Sequence, residues 1–345
     1  MTLSRPALLS RRSAALTLAV AGLSVCFAGC GSSVSVGGSG STKPETKREG
    51  PVQVVATIGM VADLARNVGG EHVEVTQMLG PGVDPHLYKA TRDDVKTLSE
   101  AEVVFYSGLM LEGQMADVLV KMARTRPVVP VTESIDVETL LEPEEFEGQY
   151  DPHVWNDVSA WSQAVDAVVT ALSEFDPDHA DEFAANGKAY QEKLSELHEY
   201  GKKVIATVPE DRRLLITSHD AFNYLAEAYD LNVSAVQGIS TESEAGLQQI
   251  ASLVDTLVEK KVEAVFIESS VPRKSIDSLV EGAKAEGHNV TVGGELFSDA
   301  TGPDGTYEGT YIGMLDHNLT LIARGLGGEA PEKGFQGKLG EAADE

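Results

Sequence analysis

Residues 176–206 read DPDHADEFAANGKAYQEKLSELHEYGKKVIA, and the arrangement of the whole chain turns on this stretch. Asp176 and Pro177 predict an N-cap and a first-turn proline, after which Phe183, Tyr190, Leu194, Leu197 and Val204 return to one helical face. Asp178, Asp181 and Glu182 fall near the start and Lys202 and Lys203 near the end, matching the helix dipole. A helix running to Ala206 is about 42 Å long at 1.5 Å per residue. That length spans two lobes and restrains their relative motion.

On both sides of the helix, short β-branched runs alternate with segments of helical spacing. Before it, strands are expected at 52–57, 73–79, 103–106 and 128–131, with helices at 59–67, 91–101 and 112–124. After it, strands are expected at 214–217, 233–236, 262–267 and 290–292, with helices at 221–229, 246–260 and 272–286. This alternation predicts the α/β class: two lobes, each a parallel sheet flanked by helices with right-handed crossovers, joined by one long rigid helix. The expected division is 51–175 for the first lobe, 176–206 for the linking helix, 207–330 for the second lobe and 331–345 for an acidic tail. Residues 136–147 and 341–345 read as loops or frayed ends.

The first fifty residues have a different composition. Arg5, Arg11 and Arg12 precede a largely apolar run at 14–28, the layout of a secretory signal peptide. At about fifteen residues the run is short for a membrane span, which needs roughly twenty. It ends in Phe27-Ala28-Gly29-Cys30, which resembles a bacterial lipobox, so 1–30 is expected to be a lipoprotein signal peptide with Cys30 the lipidated residue. Residues 31–50, rich in Gly, Ser, Thr and Lys, read as a flexible tether. The expected place is extracytoplasmic, held to the membrane by an N-terminal lipid at the periplasmic face or the cell surface.

Composition bounds the chemistry. With 42% hydrophobic and 23% charged residues, most of the 345-residue chain is expected to fold. Its net charge of −27 argues against nucleic acid, which needs a basic face to release counterions from phosphate. Loss of residues 1–30 would remove three arginines and no acid, making the body more negative still. Cys26 and Cys30 are the two cysteines, so the body contains no thiol for a disulfide, a zinc-thiolate site or a nucleophile.

Eight histidines remain to be sorted. Asp-Pro-His occurs twice, as Asp84-Pro85-His86 and Asp151-Pro152-His153, both in loops. Proline fixes the backbone before each imidazole, and the aspartate is placed to accept from one ring nitrogen. His219 follows the 214–217 strand, at the end where open α/β sheets bind ligands, and Glu268 and Asp299 occupy comparable positions. Spacing alone leaves a metal site and a set of ordinary turns both open, since the separations match no local zinc motif. His72, His179, His198 and His288 are expected to face solvent, and His317, in a helix, to be structural.

At these residues the chain resembles the zinc/manganese family of substrate-binding lipoproteins that serve ABC importers. The matching segments are Pro81-Gly82-Val83-Asp84-Pro85-His86-Leu87-Tyr88, Asp151-Pro152-His153-Val154-Trp155 and Thr217-Ser218-His219-Asp220-Ala221-Phe222-Asn223-Tyr224-Leu225. Phe266-Ile267-Glu268-Ser269-Ser270, Leu296-Phe297-Ser298-Asp299-Ala300 and Gly309-Thr310-Tyr311-Ile312-Gly313 follow in order. The resemblance implies that His86 and His153 from the first lobe and His219 and Asp299 from the second hold one divalent transition metal ion, zinc or manganese, as transported ligand. It also implies a permease and its ATPase subunit as partners, and a monomer. Glu268, the rival for the fourth position, is expected to support a ligand from behind.

The family's zinc-specific members often carry a histidine-rich loop before the second ligand. Here that stretch, 136–149, is acidic and has no histidine. Three imidazoles and one carboxylate suit tetrahedral zinc, whereas a bidentate carboxylate raises the coordination number and suits manganese. A surface adhesin or scaffold of the same fold, or a zinc hydrolase, is the competing reading. Four protein ligands leave no open position for catalysis, and neither His-Glu-x-x-His nor Gly-x-Ser-x-Gly occurs, so no enzymatic activity is expected.

Overall fold

Four parallel strands build the first sheet in the order β2-β1-β3-β4: β1 (Val52–Ala56), β2 (Val73–Gln77), β3 (Val103–Tyr106) and β4 (Val128–Pro130). The computed structural model describes residues 50–143, 146, 148–243 and 246–343. The signal peptide, Cys30 and nearly all of the tether expected from the sequence lie outside the described residues. Val54 is in register with Val75 on one side and Val103 on the other. The central strands β1 and β3 are buried on both faces and so read as nearly continuous apolar runs, while β2 at the edge alternates.

Helices α1 (Gly59–Gly69), α2 (Arg92–Glu100) and α3 (Ala116–Met122) flank this sheet. Thr91 and Asp94 form a reciprocal capping box at the start of α2, satisfying two N–H groups that the helix itself leaves free.

The second half departs from the single sheet expected. Strands β5 (Leu214–Thr217) and β6 (Asn232–Ala235) form one parallel pair, and β7 (Ala264–Glu268) and β8 (Thr291–Leu296) another. β5 and β7 lie side by side, but no strand pairing joins them among the described residues. A cavity of about 260 Å³ opens at their first residues, Leu214 and Ala264. Helices α6 (Asn223–Tyr229), α7 (Leu247–Glu259) and α8 (Lys274–Ala285) belong to this half, with Ile216, Leu253, Leu257, Val265, Ile276 and Leu279 in its core.

α4 (Val158–Phe175) packs on the first half, against α1 and β4, and α5 (Ala180–Ile205) follows it, touching α1 and α4 on one side and α6 and α9 (Tyr311–Gly325) on the other. α5 spans 26 residues after a 3-10 turn at Pro177–His179, and the five apolar residues read as its inner face are all buried. Asp176 does not cap that helix as expected: its carboxylate pairs with the His179 ring at 2.8 Å. The same residue closes α4, its N–H bonding the Leu172 carbonyl, so one Asp-Pro ends one helix and begins the next. α4 was not expected from the sequence, and it packs along α5 closely enough that a Cβ on Gly187 would lie 2.5 Å from Val169. The main apolar core continues from β1 and β3 through α4 and α5 to Tyr311, Met314, Leu315 and Leu319 of α9.

Two further expectations change. His72, His179, His198 and His288 are half-buried and partnered: His72 bonds Glu182 at 2.8 Å and stacks on His179, His198 meets the Tyr229 hydroxyl, and His288 bonds the Val262 carbonyl. His317 bonds the Glu295 carbonyl at 2.9 Å and packs on Phe297, in the structural role expected. The tail is not frayed over 341–343: Ala342 bridges Thr306, the Tyr307 N–H donates to the Glu341 carbonyl, and Asp316 accepts the Phe335 N–H.

Candidate metal centre

His86 lies in the loop after β2, His153 in the turn before α4, His219 two residues after β5, and Asp299 three after β8. Three of the four thus sit beyond the carboxyl ends of strands, where an open parallel sheet leaves a crevice. Their donor atoms all come within 4.8 Å of one another. His153, His219 and Asp299 have no exposed surface, and His86 keeps 5%.

The separations are those a small cation requires. The His153 Nε2 lies 3.1 Å from the His86 Nε2 and 3.3 Å from the His219 Nε2. Asp299 presents Oδ1 to His153 and Oδ2 to His219, each at 3.4 Å. Donors bonded to one tetrahedral zinc at about 2.1 Å lie roughly 3.4 Å apart. Among the described residues Asp299 Oδ1 is also a buried acceptor without a hydrogen-bond donor, an orphan that a cation would satisfy.

Groups behind the ligands fix which nitrogens face inward. The Asp151 carboxylate accepts from the His153 Nδ1–H at 2.7 Å, and the Glu268 carboxylate from the His219 Nδ1–H at 2.5 Å. The same carboxylates accept the backbone N–H of each histidine, at 2.9 and 2.8 Å, so ring and backbone are oriented together. In the neutral rings Nδ1 carries the hydrogen, and both Nε2 lone pairs point into the cluster. Glu268 lies behind His219. Asp84 departs from expectation: it accepts the His86 backbone N–H at 2.9 Å, and its other oxygen accepts from Thr241 of the second half at 2.6 Å, so it does not hold the ring.

Electrostatics separates the three imidazoles. Burial opposes charging His153, but the charge and hydrogen bond of Asp151, with Asp299, overcome it and raise its pKa to about 10. Burial is likewise overcome at His219, by Asp299 and Glu268, and its pKa rises to about 9. At His86 burial prevails and the pKa falls to about 3. Asp299, despite its burial, is held below the usual carboxylate range by His219, His153 and His86. A pocket that draws protons onto two facing imidazoles equally suits a metal cation that replaces them.

Residues outside the histidine reading brace the site across the cleft. Asn223 donates to Asp151 at 3.1 Å, the Tyr224 hydroxyl to the Asp151 carbonyl at 2.9 Å, and the Trp155 indole to the Ser298 carbonyl at 2.9 Å. Trp155, Asn223 and Tyr224 fall inside the motif segments, a signal for their importance. Thr241 lies in none of them. Gly82, with φ of 73°, passes so close to the second half that a Cβ would lie 3.2 Å from the Ser269 carbonyl.

Two α/β halves around a shared, buried, cation-sized cluster define the two-lobed class of substrate-binding protein. The family described as zinc-uptake complex component A, periplasmic, matches residues 54–325. The chain is 47% identical over 289 residues to the manganese-binding lipoprotein MntA of Bacillus subtilis, covering 84% of this chain and 94% of that protein. It is 44% identical over 278 residues to the zinc-binding protein TroA of Treponema pallidum, covering 81% and 90%. The solved structure of that periplasmic protein aligns with a TM-score of 0.78 over 80% of this chain and 99% of the other. The chain belongs to the zinc-uptake component A family, the metal-binding proteins that serve ABC importers.

Proposed function

We propose that this chain captures one divalent transition metal ion, zinc or manganese, between its halves through His86, His153, His219 and Asp299, and delivers it to a membrane permease driven by an ATPase subunit. The carrying observation is the convergence of three imidazole nitrogens and a carboxylate at distances of 3.1 to 3.4 Å, with donors oriented from behind. Four protein donors leave no site for a reactive water, which supports cargo rather than catalysis. The ion is the transported substrate. Residues 51–175 and 207–330 act as the two lobes, 176–206 as their restraint and 331–345 as the tail. The protein works as a monomer, anchored outside the cytoplasm through a lipid on Cys30.

Both metals have support. Names of related proteins divide between manganese and zinc. Asp299 turns both oxygens toward the histidines, which suits five-coordinate binding as well as a tetrahedron. Elemental analysis of the protein purified from its native envelope tests the reading: one zinc or manganese per chain is expected, lost in His153→Ala. Metal-free protein that also fails to take up either ion would overturn it.

A further inference from the structure

The segment after β6 ties the backbone of one ligand loop to that of the other. Its root runs beside His219: the Val236 N–H donates to the Thr217 carbonyl at 3.3 Å and the Gln237 N–H to the Ser218 carbonyl at 3.0 Å. In return the Asp220 N–H donates to the Gly238 carbonyl at 3.5 Å. A few residues on, Thr241, 7% exposed, donates its hydroxyl to Asp84 Oδ2, while Asp84 Oδ1 accepts the His86 N–H. The neighbouring Glu242 accepts from Gln114 of the first half. A hydrogen-bonded path therefore runs from both sides of His219 to the backbone of His86, crossing the cleft at a hydroxyl-to-carboxylate bond.

His86 is the ligand with residual exposure, and its ring is not held from behind by Asp84. Its position depends on how its loop is fastened. Thr241 and Asp84 come from opposite halves, so the halves cannot part at this point without breaking their bond. Capture by an open cleft precedes that bond, whereas release has to undo it.

We propose that Thr241 is the latch of the cleft, a positioning residue that fastens the His86 loop to the second half and thereby sets how fast the bound ion leaves. This rests on reading the cleft as the metal site. Valine replaces threonine with nearly the same shape and no hydroxyl, leaving Asp84 without its donor across the cleft. Losing a hydrogen bond to a charged acceptor corresponds to about a tenfold change in rate.

The test is stopped-flow release of Zn²⁺ from the full chain to a chromophoric chelator, with capture measured separately. In Thr241→Val, release is expected to quicken about tenfold while capture stays within about twofold and the metal-free melting temperature holds. Thr241→Ser is expected to restore slow release. Unchanged release in Thr241→Val overturns the latch, as does a variant that slows capture alone or lowers the metal-free melting temperature. Failure of the unsubstituted chain to bind Zn²⁺ or Mn²⁺ would instead overturn the reading of the site itself.

Discussion

In Asp151-Pro152-His153 the aspartate holds the imidazole, while in Asp84-Pro85-His86 it reaches to the far side of the cleft. The first tripeptide is locked into the second half: Asn223 and Tyr224 bond Asp151, and the following Trp155 bonds Ser298 and accepts from Tyr311. The second is fastened by Asp84 to Thr241 and by the close pass of Gly82 over Ser269. Identical residues in identical order thus form a wall braced from behind in one place and, if Thr241 is the latch, a gate fastened across the cleft in the other. The difference comes from what the fold packs against them.

The sharpest way to break this comparison is to remove each histidine in turn. His153→Ala is expected to abolish metal binding and also to cost the metal-free protein about 3 kcal/mol, because Asp151 is left buried without its cationic partner. His86→Ala should lose metal by at least about 100-fold, the upper end for loss of an outer supporting group. Its metal-free stability should fall by less than that of His153→Ala, since Asp84 does not hold the His86 ring and no buried carboxylate loses a partner. Calorimetric titration and denaturant unfolding read the two effects separately, and equal destabilisation by both would erase the distinction between wall and gate.

Next in size are the carboxylates of the second half. Asp299→Ala removes a donor facing two histidines and should weaken metal more than Glu268→Ala, for which about 10- to 100-fold is expected through loss of His219 orientation. Competition against a chelator of known affinity ranks them, and the reverse order would exchange their roles. Smallest is the pair of aspartates. Asp151→Asn should lower affinity by about 10- to 100-fold, while Asp84→Asn should cost less than about tenfold and appear mainly as faster release.

Much of this was legible in the chain itself. The β-branched runs predict eight strands, most plainly where a parallel strand is buried on both faces and so apolar throughout, and β3 and β5 begin and end where expected. α4 is harder to read in the sequence because the Asp176-Pro177 that ends it also starts the next helix. The repeated tripeptide, His219 and Asp299 pointed to the cluster, yet local spacing could not join residues that meet only through the fold. That Asp84 serves Thr241 rather than its own histidine ring was hidden, since Thr241 belongs to no motif and reaches Asp84 across the whole length of the linking helix in sequence. The burial of His72, His179, His198 and His288 is not legible in the sequence, because their partners, such as Glu182 and the Val262 carbonyl, are set by packing.

Proton release on metal binding tests the central claim most directly. In the metal-free protein the pKa values of His153 and His219 are raised to about 10 and about 9, and that of His86 is lowered to about 3. Near neutral pH the first two hold protons and the third does not, and coordination needs all three neutral. Affinity should therefore fall as pH falls, with His86 competing only in strong acid. Calorimetric titration with Zn²⁺ near pH 7 in buffers of different ionisation enthalpy should give one ion bound and about two protons released per chain. Tight binding with no proton release, and an affinity unchanged between about pH 5 and 7.5, would contradict a site built on His153 and His219.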